Sequence, residues 1–270
     1  MAIVNRTPDS FFDRGSTFAA DAALRAVERA VADGADIIDI GGVKAGPGDE
    51  VDEAEEVRRT VATVAAVREE FPDVVISIDT WRAGVAAVAV AAGADLINDT
   101  WAGADPELVK VAADTGAGIV CSHTGGLPPR IDPHRARFDD VVDDVVATVT
   151  EAAARAVQAG VRPDGILVDP THDFGKNTRH SLELTRRLDE VVATGWPVLV
   201  ALSRKDFVGE TLDLPPDQRL EGSLAATAIS AWHGARVYRT HDVRATRRVL
   251  DMVASIQGTR PPSVARRGLV

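Results

Sequence analysis

The sequence predicts one α/β domain folded as a closed (β/α)8 barrel, the TIM barrel. Along 270 residues, short runs rich in Ile, Val and Leu alternate eight times with longer amphipathic stretches. The apolar runs are continuous rather than alternating, which indicates strands of a parallel sheet that are buried on both faces. Barrels built from eight strand and helix units often have this length. An open, doubly wound sheet is the weaker alternative.

The eight predicted strands lie at intervals along the whole chain. They cover residues 2–4, 36–40, 74–78, 95–97, 118–121, 166–168, 198–202 and 235–238. A helical pattern of apolar residues follows each strand. The predicted helices cover residues 21–33, 50–69, 82–92, 105–115, 138–159, 179–192, 217–233 and 242–256. We therefore expect the barrel to occupy residues 1–256 and residues 257–270 to form a C-terminal tail.

Composition and charge exclude several classes of protein. The chain is 45% apolar, which supports a large core, and its formal net charge of -11 repels a phosphodiester backbone. Lys and Arg are scattered rather than gathered on one face. The single cysteine, Cys121, excludes an intrachain disulfide and fits a reducing compartment. We expect a soluble, cytoplasmic protein that binds neither nucleic acid nor membranes.

The sequence predicts no N-terminal leader and a solvated C-terminal end. No basic and then apolar leader opens the chain, and no apolar run approaches membrane-spanning length. The C-terminal RPPSVARR, residues 260–267, is interpreted as a solvated end. The first predicted strand begins at Ala2, so the segment that usually covers the bottom of such a barrel is absent or lies outside this sequence.

Three generic motifs are incomplete. In DIIDIGGVKAGPG, residues 36–48, Gly41 and Gly46 have the spacing of a phosphate-binding loop, but Pro47 stands where the lysine belongs. No pair of histidines has the close spacing of a zinc site, so we expect no structural metal. Ser223, in GSLAATAI, lacks the GxSxG turn of a serine nucleophile and is predicted to lie at a helix start.

Polar residues follow the predicted strands, at the mouth of the barrel where such folds carry their chemistry. They are Asn5, Asp39, Asp79, Asn98, His123, Asp169, Ser203 with Lys205, and Arg239 with His241. Any one of them taken alone is more often a helix cap or a turn residue. Polar groups at all eight strand ends predict a functional site. Two irregular stretches, residues 6–20 and 43–49, are predicted mouth loops.

Eight segments carry a family resemblance that runs from Ile3 to about Met252. They are IVNRTPDSFFDRG (3–15), IDIGG (38–42), SIDTWRA (77–83), AGADLINDTWAG (92–103), LVDPTHDFGK (167–176), PVLVALSRKDFVG (197–209), RLEGSLAA (219–226) and RTHDV (239–243). In this order they resemble dihydropteroate synthase, a pterin-binding barrel family of folate biosynthesis. The resemblance implies a transferase that condenses 6-hydroxymethyl-7,8-dihydropterin pyrophosphate with 4-aminobenzoate and releases pyrophosphate. It also implies a homodimer.

The resemblance implies a substrate-binding role for five residues. Asp169 would accept hydrogen bonds from two ring nitrogens of the pterin, because a carboxylate matches its donor edge. Asn98 and Asp79 would satisfy the remaining ring edge. Lys205 would donate to the carbonyl side of the pterin. The guanidinium plane of Arg239 would stack on the ring.

The resemblance also implies the catalytic residues and a magnesium ion. Arg239 and His241 would face the pyrophosphate. Asn5 and Asp13 resemble the oxygen ligands of Mg²⁺, a hard ion shared with the pyrophosphate. The implied reaction is a displacement of dissociative character, in which cationic groups stabilise the leaving pyrophosphate and the arylamine attacks the pterin methylene carbon. No general base is required of the protein.

The sequence departs from the family pattern at three places. The family usually reads GGESTRPG where this chain has GGVKAGPG, so Ala45 and Gly46 replace threonine and arginine. Losing that loop cation costs on the order of 2 to 4 kcal/mol of transition-state stabilisation. Asp206 replaces a serine near the carboxylate of 4-aminobenzoate, and THD at 171–173 replaces a turn that contains glycine.

These departures leave three interpretations open. The chain is a working synthase, with Lys44, Arg6 or Arg14 restoring the missing charge, or a pterin-binding paralogue with lost or altered condensation. The second interpretation is our hypothesis. Under it, the chain resembles the divergent second-copy branch of the family. A corrinoid-linked methyltransferase on a related barrel ranks last, because no cobalamin module is present.

Overall fold

The computed structural model describes residues 1–7, 15, 17–131 and 137–268, and its strands close into a barrel. The strands are β1 (Ala2–Asn5), β2 (Ile37–Gly41), β3 (Val75–Asp79), β4 (Leu96–Asp99), β5 (Gly118–Ser122), β6 (Ile166–Asp169), β7 (Leu199–Ala201) and β8 (Val237–Arg239). Strands β1 to β6 form one parallel sheet in chain order, and β7 pairs with β8. Single parallel bridges, Ala2 to Thr240 and Val168 to Val198, join the two sheets. The predicted closed barrel is confirmed.

The helices surround the barrel. They are α1 (Ala20–Ala32), α2 (Glu53–Glu70), α3 (Ala83–Ala91), α4 (Leu108–Thr115), α5 (Val141–Ala159), α6 (Thr178–Arg186), α7 (Leu188–Val192), α8 (Asp206–Leu212), α9 (Leu220–His233) and α10 (Val243–Ile256). Residues 257–268, after α10, contain no helix or strand. None of the helices in the described ranges is both long and apolar enough to cross a bilayer.

Two predicted helices differ from the structure, and one observed helix was not predicted. The helix predicted at 179–192 is divided into α6 and α7 at Arg187, whose φ of -109° and ψ of 25° are not helical. The helix predicted at 217–233 begins only at Leu220, after a short 3₁₀ turn. Helix α8 was not predicted, because its seven residues are too few to show a helical period and include Gly209. A Cβ at Gly209 would lie 2.2 Å from the guanidinium carbon of Arg219, so a larger residue there would displace that side chain.

Polar caps explain why two predicted helices begin early. Asp52 precedes α2 and accepts a hydrogen bond from the amide of Glu55, at 2.7 Å. Asp140 precedes α5, and its Oδ1 accepts from the amides of Val142 at 2.8 Å and Asp143 at 3.1 Å. A capping residue lies outside the helix that it stabilises. The predicted starts at 50 and 138 therefore include residues of the preceding loops.

Two apolar clusters leave the barrel mouth to polar side chains. The smaller cluster contains the buried side chains of Met1, Leu96, Val120 and Leu199. The larger cluster packs the strands against the surrounding helices and includes buried residues from α1 to α9. Because apolar side chains supply these clusters, the polar groups at the carboxyl ends of the strands remain available for a site.

A buried ion pair joins the mouth loop after β3 to α2. The side chain of Glu56 is 0% exposed, and Arg82 is its cationic partner. Arg82 Nη2 also donates to the carbonyl oxygen of Val51, at 2.7 Å. Burial raises the pKa of Glu56, and hydrogen bonds from Thr80 and the charge of Arg82 oppose that rise. Removing Arg82 would therefore leave a carboxylate without its counter-charge in the protein interior.

We expect Arg82→Met to lower the free energy of unfolding at pH 7 by about 3 to 5 kcal/mol, because it breaks a buried pair. Chemical denaturation measures the change. Glu56 has a raised folded-state pKa, so its protonation as the pH falls should reduce the loss at pH 5. In the control Arg155→Met, the ion pair with Glu151 is 58% and 72% exposed, and the loss should be about 0.5 kcal/mol or less. Equal losses in the two variants would contradict this account.

Candidate active site

The strand register brings the predicted site residues to one end of the barrel. Asp79, the last residue of β3, is the Cα partner of Asn98 in β4. Asp169 ends β6 and Arg239 ends β8. Carboxyl ends of parallel strands in a barrel meet at one mouth. We call the polar residues that interact there the mouth cluster: Asp39, Asp79, Asn98, Asp169, Lys205 and Arg239.

Arg239 connects the carboxylates of the mouth cluster. Its Nε donates to Asp39 Oδ2 and its Nη2 donates to Asp79 Oδ2, each at 2.6 Å. Asp39 is fully buried and also accepts from Ser77 Oγ at 2.6 Å. Asn98 Nδ2 lies 3.4 Å from both oxygens of Asp39. Sequence reasoning had placed Asp39 at a strand end without a role, whereas here it lies inside the barrel and orients Arg239.

Burial shifts the protonation of the mouth cluster. It raises the pKa of Asp79 to about 7, and the charge of Arg239 opposes the rise. Burial alone would lower the pKa of Arg239, but Asp39 and Asp79 more than compensate and raise it. The guanidinium therefore stays charged. The two oxygens of Asp79 accept hydrogen bonds from Arg239 and from Thr100 Oγ1, at 2.6 and 3.0 Å, so burial and these donors act on its pKa in opposite directions.

Asp169 and Lys205 form the other side of the cluster. Asp169 is 5% exposed, and its Oδ1 accepts from the amide of Thr171 at 2.7 Å. Burial raises its pKa, while Lys205, Lys176 and Arg239 lower it by their charge. Lys205 donates to the carbonyl oxygen of His172. Asp169 thus interacts electrostatically with both Lys205 and Arg239, which places the predicted substrate-binding residues around one region.

Phe174 is an apolar wall beside this region. Lys205 Nζ lies 4.7 Å from the centre of its ring. Trp101, from the loop after β4, meets the same ring edge to face with centroids 5.1 Å apart. An aromatic face attracts a cation, and edge-to-face packing holds the ring in one orientation. Loops after β4, β6 and β7 therefore meet at one edge of the mouth.

The turn after β6 has an unusual backbone. Thr171 and Asp173 have φ of 54° and 69°, in the left-handed region that favours glycine. Each such residue costs about 1 to 2 kcal/mol. Hydrogen bonds offset that cost, because Thr171 Oγ1 donates to the Asp169 carbonyl oxygen at 2.8 Å and accepts from the His123 amide at 3.2 Å. The sequence departure THD therefore keeps the backbone of a glycine turn and adds side chains to it.

The Asp173 side chain reaches the start of α8. Its Oδ2 accepts from the amide of Phe207 at 3.1 Å, and its Oδ1 accepts from Ser181 Oγ at 2.9 Å. Burial raises its pKa, and the charge of Lys205 is the largest opposing influence. Asp206 lies next to Phe207 in the chain, and its 80% exposed side chain pairs with Arg219 at 2.7 Å. The Asp173 carboxylate therefore binds the Phe207 amide, and the residue before Phe207 carries a second, exposed carboxylate.

A buried lysine that sequence reasoning left without a role fixes the same turn. Lys176 is 2% exposed, and its Nζ donates to the carbonyl oxygens of His123 (2.9 Å), Thr171 (3.2 Å) and Phe174 (3.1 Å). It also lies 2.8 Å from His123 Nδ1. Burial lowers the pKa of Lys176 to about 7. No sequence pattern distinguishes such a lysine from a solvated one, because its partners are main-chain groups of distant loops.

His123 completes that network as a neutral side chain. Burial lowers its pKa to about 4, and the charge of Lys176 acts in the same direction. Neutral imidazole has one donor and one acceptor. Nε2 therefore donates to Asp144 Oδ1 at 2.6 Å, and Nδ1 is the acceptor that faces Lys176 Nζ, whose three N–H groups are shared among four acceptors. His123 was predicted as a mouth residue, and the structure assigns it to holding the loops after β5 and β6 together.

The first mouth loop is tied down by Arg6. Its Nε donates to the Arg59 carbonyl oxygen and its Nη1 to that of Thr17, each at 3.0 Å. Its side chain is largely buried by these contacts. Arg6 was one of the candidates to replace the missing loop cation, and its guanidinium instead joins this loop to α2. Lys44 is half-buried in the loop after β2, and Arg14 lies outside the described residues.

The predicted magnesium site is only half described. Asn5 ends β1, and its carbonyl oxygen accepts from Thr17 Oγ1 at 2.6 Å. Asp13 lies outside the described residues. Within the described ranges, no group of three or more His, Cys, Asp or Glu side chains could hold a metal ion. His241 follows β8 beside the mouth cluster, and its amide donates to Ser203 Oγ at 3.2 Å. Ser223 lies in the first turn of α9, as predicted.

Comparison with known proteins identifies the family. The sequence model of the family described as Pterin binding enzyme matches residues 1–241. The Mycobacterium leprae (strain TN) protein named Inactive dihydropteroate synthase 2 is 62% identical over 273 aligned positions, which cover 100% of this chain and 94% of that protein. Dihydropteroate synthase of Haemophilus influenzae is 40% identical over 247 positions, covering 91% and 89%. The crystal structure of Yersinia pestis dihydropteroate synthase with a sulfonamide drug complex has a TM-score of 0.91 at 38% identity, covering 96% and 94%. The chain is dihydropteroate synthase-like and belongs to the pterin binding enzyme family.

Proposed function

We propose that this protein binds a pterin pyrophosphate at the mouth cluster and condenses it with 4-aminobenzoate poorly or not at all. The observation that carries the proposal is the contrast between the two sides of the mouth. On one side, buried carboxylates and cations form a polar cluster suited to a flat heterocycle. On the other side, which we call the acceptor side because 4-aminobenzoate would bind there, the Asp173 carboxylate accepts a hydrogen bond from the Phe207 amide. Asp206, the residue before Phe207, adds a second carboxylate.

The pterin side is supported by the chemistry of the mouth cluster. A pterin presents ring and exocyclic N–H donors along one edge and a carbonyl oxygen on another. Asp169 supplies a buried acceptor, the half-buried Lys205 supplies a donor, and Asn98 supplies both kinds of group. Hydrogen bonds to charged groups are stronger in such a buried site than in water. These groups match the donors and acceptors of the ring.

The acceptor side carries charge of the wrong sign for 4-aminobenzoate. Asp173 accepts the hydrogen bond that the Phe207 amide could offer to an incoming carboxylate. Asp206 adds a second carboxyl group, although Arg219 partly neutralises it. A like charge near a desolvated carboxylate opposes binding. We therefore expect a neutral or cationic amine to be tolerated better than 4-aminobenzoate.

We expect the leaving pyrophosphate to lie beside the residues that follow β8. Arg239 and His241 follow β8 and would balance the charge that develops on the pyrophosphate. The oxygen donors of Asn5 and Asp13 suit a hard cation, and they would hold Mg²⁺. When bound, Mg²⁺ would supply further neutralisation of the pyrophosphate oxygens. Neutralising the pyrophosphate would not remove the two carboxylates, Asp173 and Asp206, that oppose binding of 4-aminobenzoate.

The experiment that tests the proposal separates binding from chemistry. Calorimetry with pterin pyrophosphate, with and without Mg²⁺, should give saturable binding at one site. Addition of 4-aminobenzoate should then release pyrophosphate at a rate at least 100-fold below that of a dihydropteroate synthase assayed in parallel, as expected from losing about 3 kcal/mol of stabilisation. Absence of pterin binding would refute the proposal.

A working synthase is the second candidate, and the assembled mouth cluster favours it. Five of its six residues, all except Asp39, are those that the family resemblance implies for the pterin. If 4-aminobenzoate reacts at the rate of the parallel synthase, this second function replaces the first. The same assay therefore decides between the two, without a further experiment.

We also propose a homodimer. Helices α9 and α10 expose large apolar side chains: Ile229 at 48%, Trp232 at 57%, Met252 at 61% and Ile256 at 60%. Neighbouring apolar side chains with this exposure are typical of a protein contact surface. Light scattering after gel filtration measures the oligomeric state. The cytoplasmic location expected from the sequence stays a prediction, which cell fractionation can test.

A further inference from the structure

Arg130 reaches from the loop after β5 to the loop after β2. Its Nε donates to the Gly46 carbonyl oxygen at 3.1 Å, and its Nη1 donates to that of Asp49 at 2.9 Å. In the barrel sheet, β3 and β4 lie between β2 and β5. A single side chain therefore joins two mouth loops that start on strands three positions apart.

The contact falls at the position where the loop after β2 departs from its family pattern. Gly46 stands where an arginine is usual, and nothing crowds its missing side chain. A Cβ there would meet only Lys44 Cε, at 3.9 Å. The loop begins at Gly41, whose strand neighbours are Asn5 and Asp79. The guanidinium of Arg130 thus lies against a loop that starts beside the first and third mouth loops.

The backbone of Arg130 is held in a conformation that most residues avoid. Its φ of 66° lies in the left-handed region. A guanidinium has five N–H donors, and the two bonds to Gly46 and Asp49 use two of them. Arg130 is half-buried and forms no ion pair with a carboxylate among the described residues. Its positive charge is therefore not neutralised by a carboxylate within those ranges.

Other cations of the neighbouring loops are already engaged. Arg6 binds the carbonyl oxygens of Arg59 and Thr17. Arg59 pairs with Glu55 at 2.6 Å and donates to the Gly42 carbonyl oxygen at 3.0 Å. Arg82 pairs with the buried Glu56. Arg130 differs from these three arginines because both of its bonds are to main-chain oxygens of the loop that lacks the family arginine.

We propose that Arg130 supplies, from the loop after β5, the diphosphate-binding cation that Gly46 does not supply from the loop after β2. The inference rests on the proposed function for the identity of the ligand, a pterin diphosphate ester. Arginine suits this role because its planar fork can donate two hydrogen bonds to phosphate oxygens while its charge balances theirs. The two backbone bonds would orient the guanidinium.

The test compares two ligands that differ only in the diphosphate. Calorimetry measures 6-hydroxymethyl-7,8-dihydropterin pyrophosphate and the corresponding alcohol against wild type and Arg130→Gln. The substitution should weaken binding of the pyrophosphate ligand by about 10-fold or more, as expected for a lost charge-assisted contact. Binding of the alcohol should change by less than about twofold. Arg155→Gln removes the same charge from the exposed surface of α5 and should change the affinity for neither ligand.

A rescue variant and a third ligand distinguish failure of the Arg130 inference from failure of the proposed function. Gly46→Arg added to Arg130→Gln should restore pyrophosphate affinity while leaving the alcohol unaffected. Equal weakening of both ligands would assign Arg130 a purely structural role, and unchanged binding of both would also overturn the inference. If wild type binds neither pterin, the proposed function fails. Inorganic pyrophosphate then tests Arg130 alone, and binding that is absent or insensitive to Arg130→Gln would refute its role.

Discussion

Asp169→Asn should raise the dissociation constant for 6-hydroxymethyl-7,8-dihydropterin by at least about 100-fold, because two charge-assisted hydrogen bonds are lost. The amide keeps the size of the side chain but presents an N–H group toward the donor edge of the ring. Its position is 5% exposed, so water cannot replace the missing acceptor well. Calorimetric titration measures the change, and thermal unfolding monitors the Thr171 contact at 2.7 Å.

A matched control for this substitution is Asp206→Asn. It also converts an aspartate to asparagine near the mouth, but its side chain is 80% exposed and pairs with Arg219. Pterin affinity should change by less than about twofold, since an exposed pair contributes little. Similar affinities of wild type and Asp169→Asn would show that the ring does not bind this carboxylate.

Reinstating the family residues should raise condensation with 4-aminobenzoate. The combined variant Ala45→Thr, Gly46→Arg, Asp173→Gly and Asp206→Ser returns a loop cation and removes two carboxyl groups. One such electrostatic contact changes the rate by about 100-fold or more, and we expect kcat/KM to rise at least that much. A Cβ at position 46 would meet only Lys44 Cε, at 3.9 Å, and glycine suits the φ of 69° at position 173. Pyrophosphate release measures the rate.

The control for the combined variant removes charge at a distance from the mouth. Asp164→Ser alters an exposed residue paired with Arg162 just before β6, at the opposite end of that strand from Asp169. It should leave the rate unchanged. Omitting Asp173→Gly from the combination should forfeit much of the gain, because the Phe207 amide stays occupied. No gain from the complete combination would show that the acceptor side does not limit the reaction.

The barrel was predictable because its strands are buried on both faces. Continuous apolar runs identified all eight strands, and the predicted ends differ from the observed ones by at most two residues. Helix α8 was not predictable in the same way, since a seven-residue helix containing Gly209 has no clear period. Its start depends on contacts with Asp173, a residue of a different loop.

The site was predictable only as a set of residues, not as a network. Family motifs identified Asp79, Asn98, Asp169 and Lys205, and the structure brings them together around Arg239. The central position of Asp39 required coordinates, because its partners Ser77 and Arg239 lie 38 and 200 residues away along the chain. Arg130 was missed for the same reason. Its contacts with Gly46 and Asp49 join loops that no local pattern connects.

The turn at residues 171–173 shows how a sequence departure can keep a backbone. The loss of a glycine-containing turn suggested an altered loop, yet Thr171 and Asp173 retain left-handed φ values. Hydrogen bonds to His123, Asp169 and Phe207 hold them there. The functional change therefore lies in the added side chains rather than in the path of the main chain.

A crystal structure of the protein with 6-hydroxymethyl-7,8-dihydropterin tests the central claim most directly. We expect the ring within the barrel mouth, its donor edge at hydrogen-bond distance from the Asp169 carboxylate, and Asn98 and Lys205 on its remaining polar atoms. A ring bound outside the mouth, or one bound there without contact to Asp169, would contradict the account.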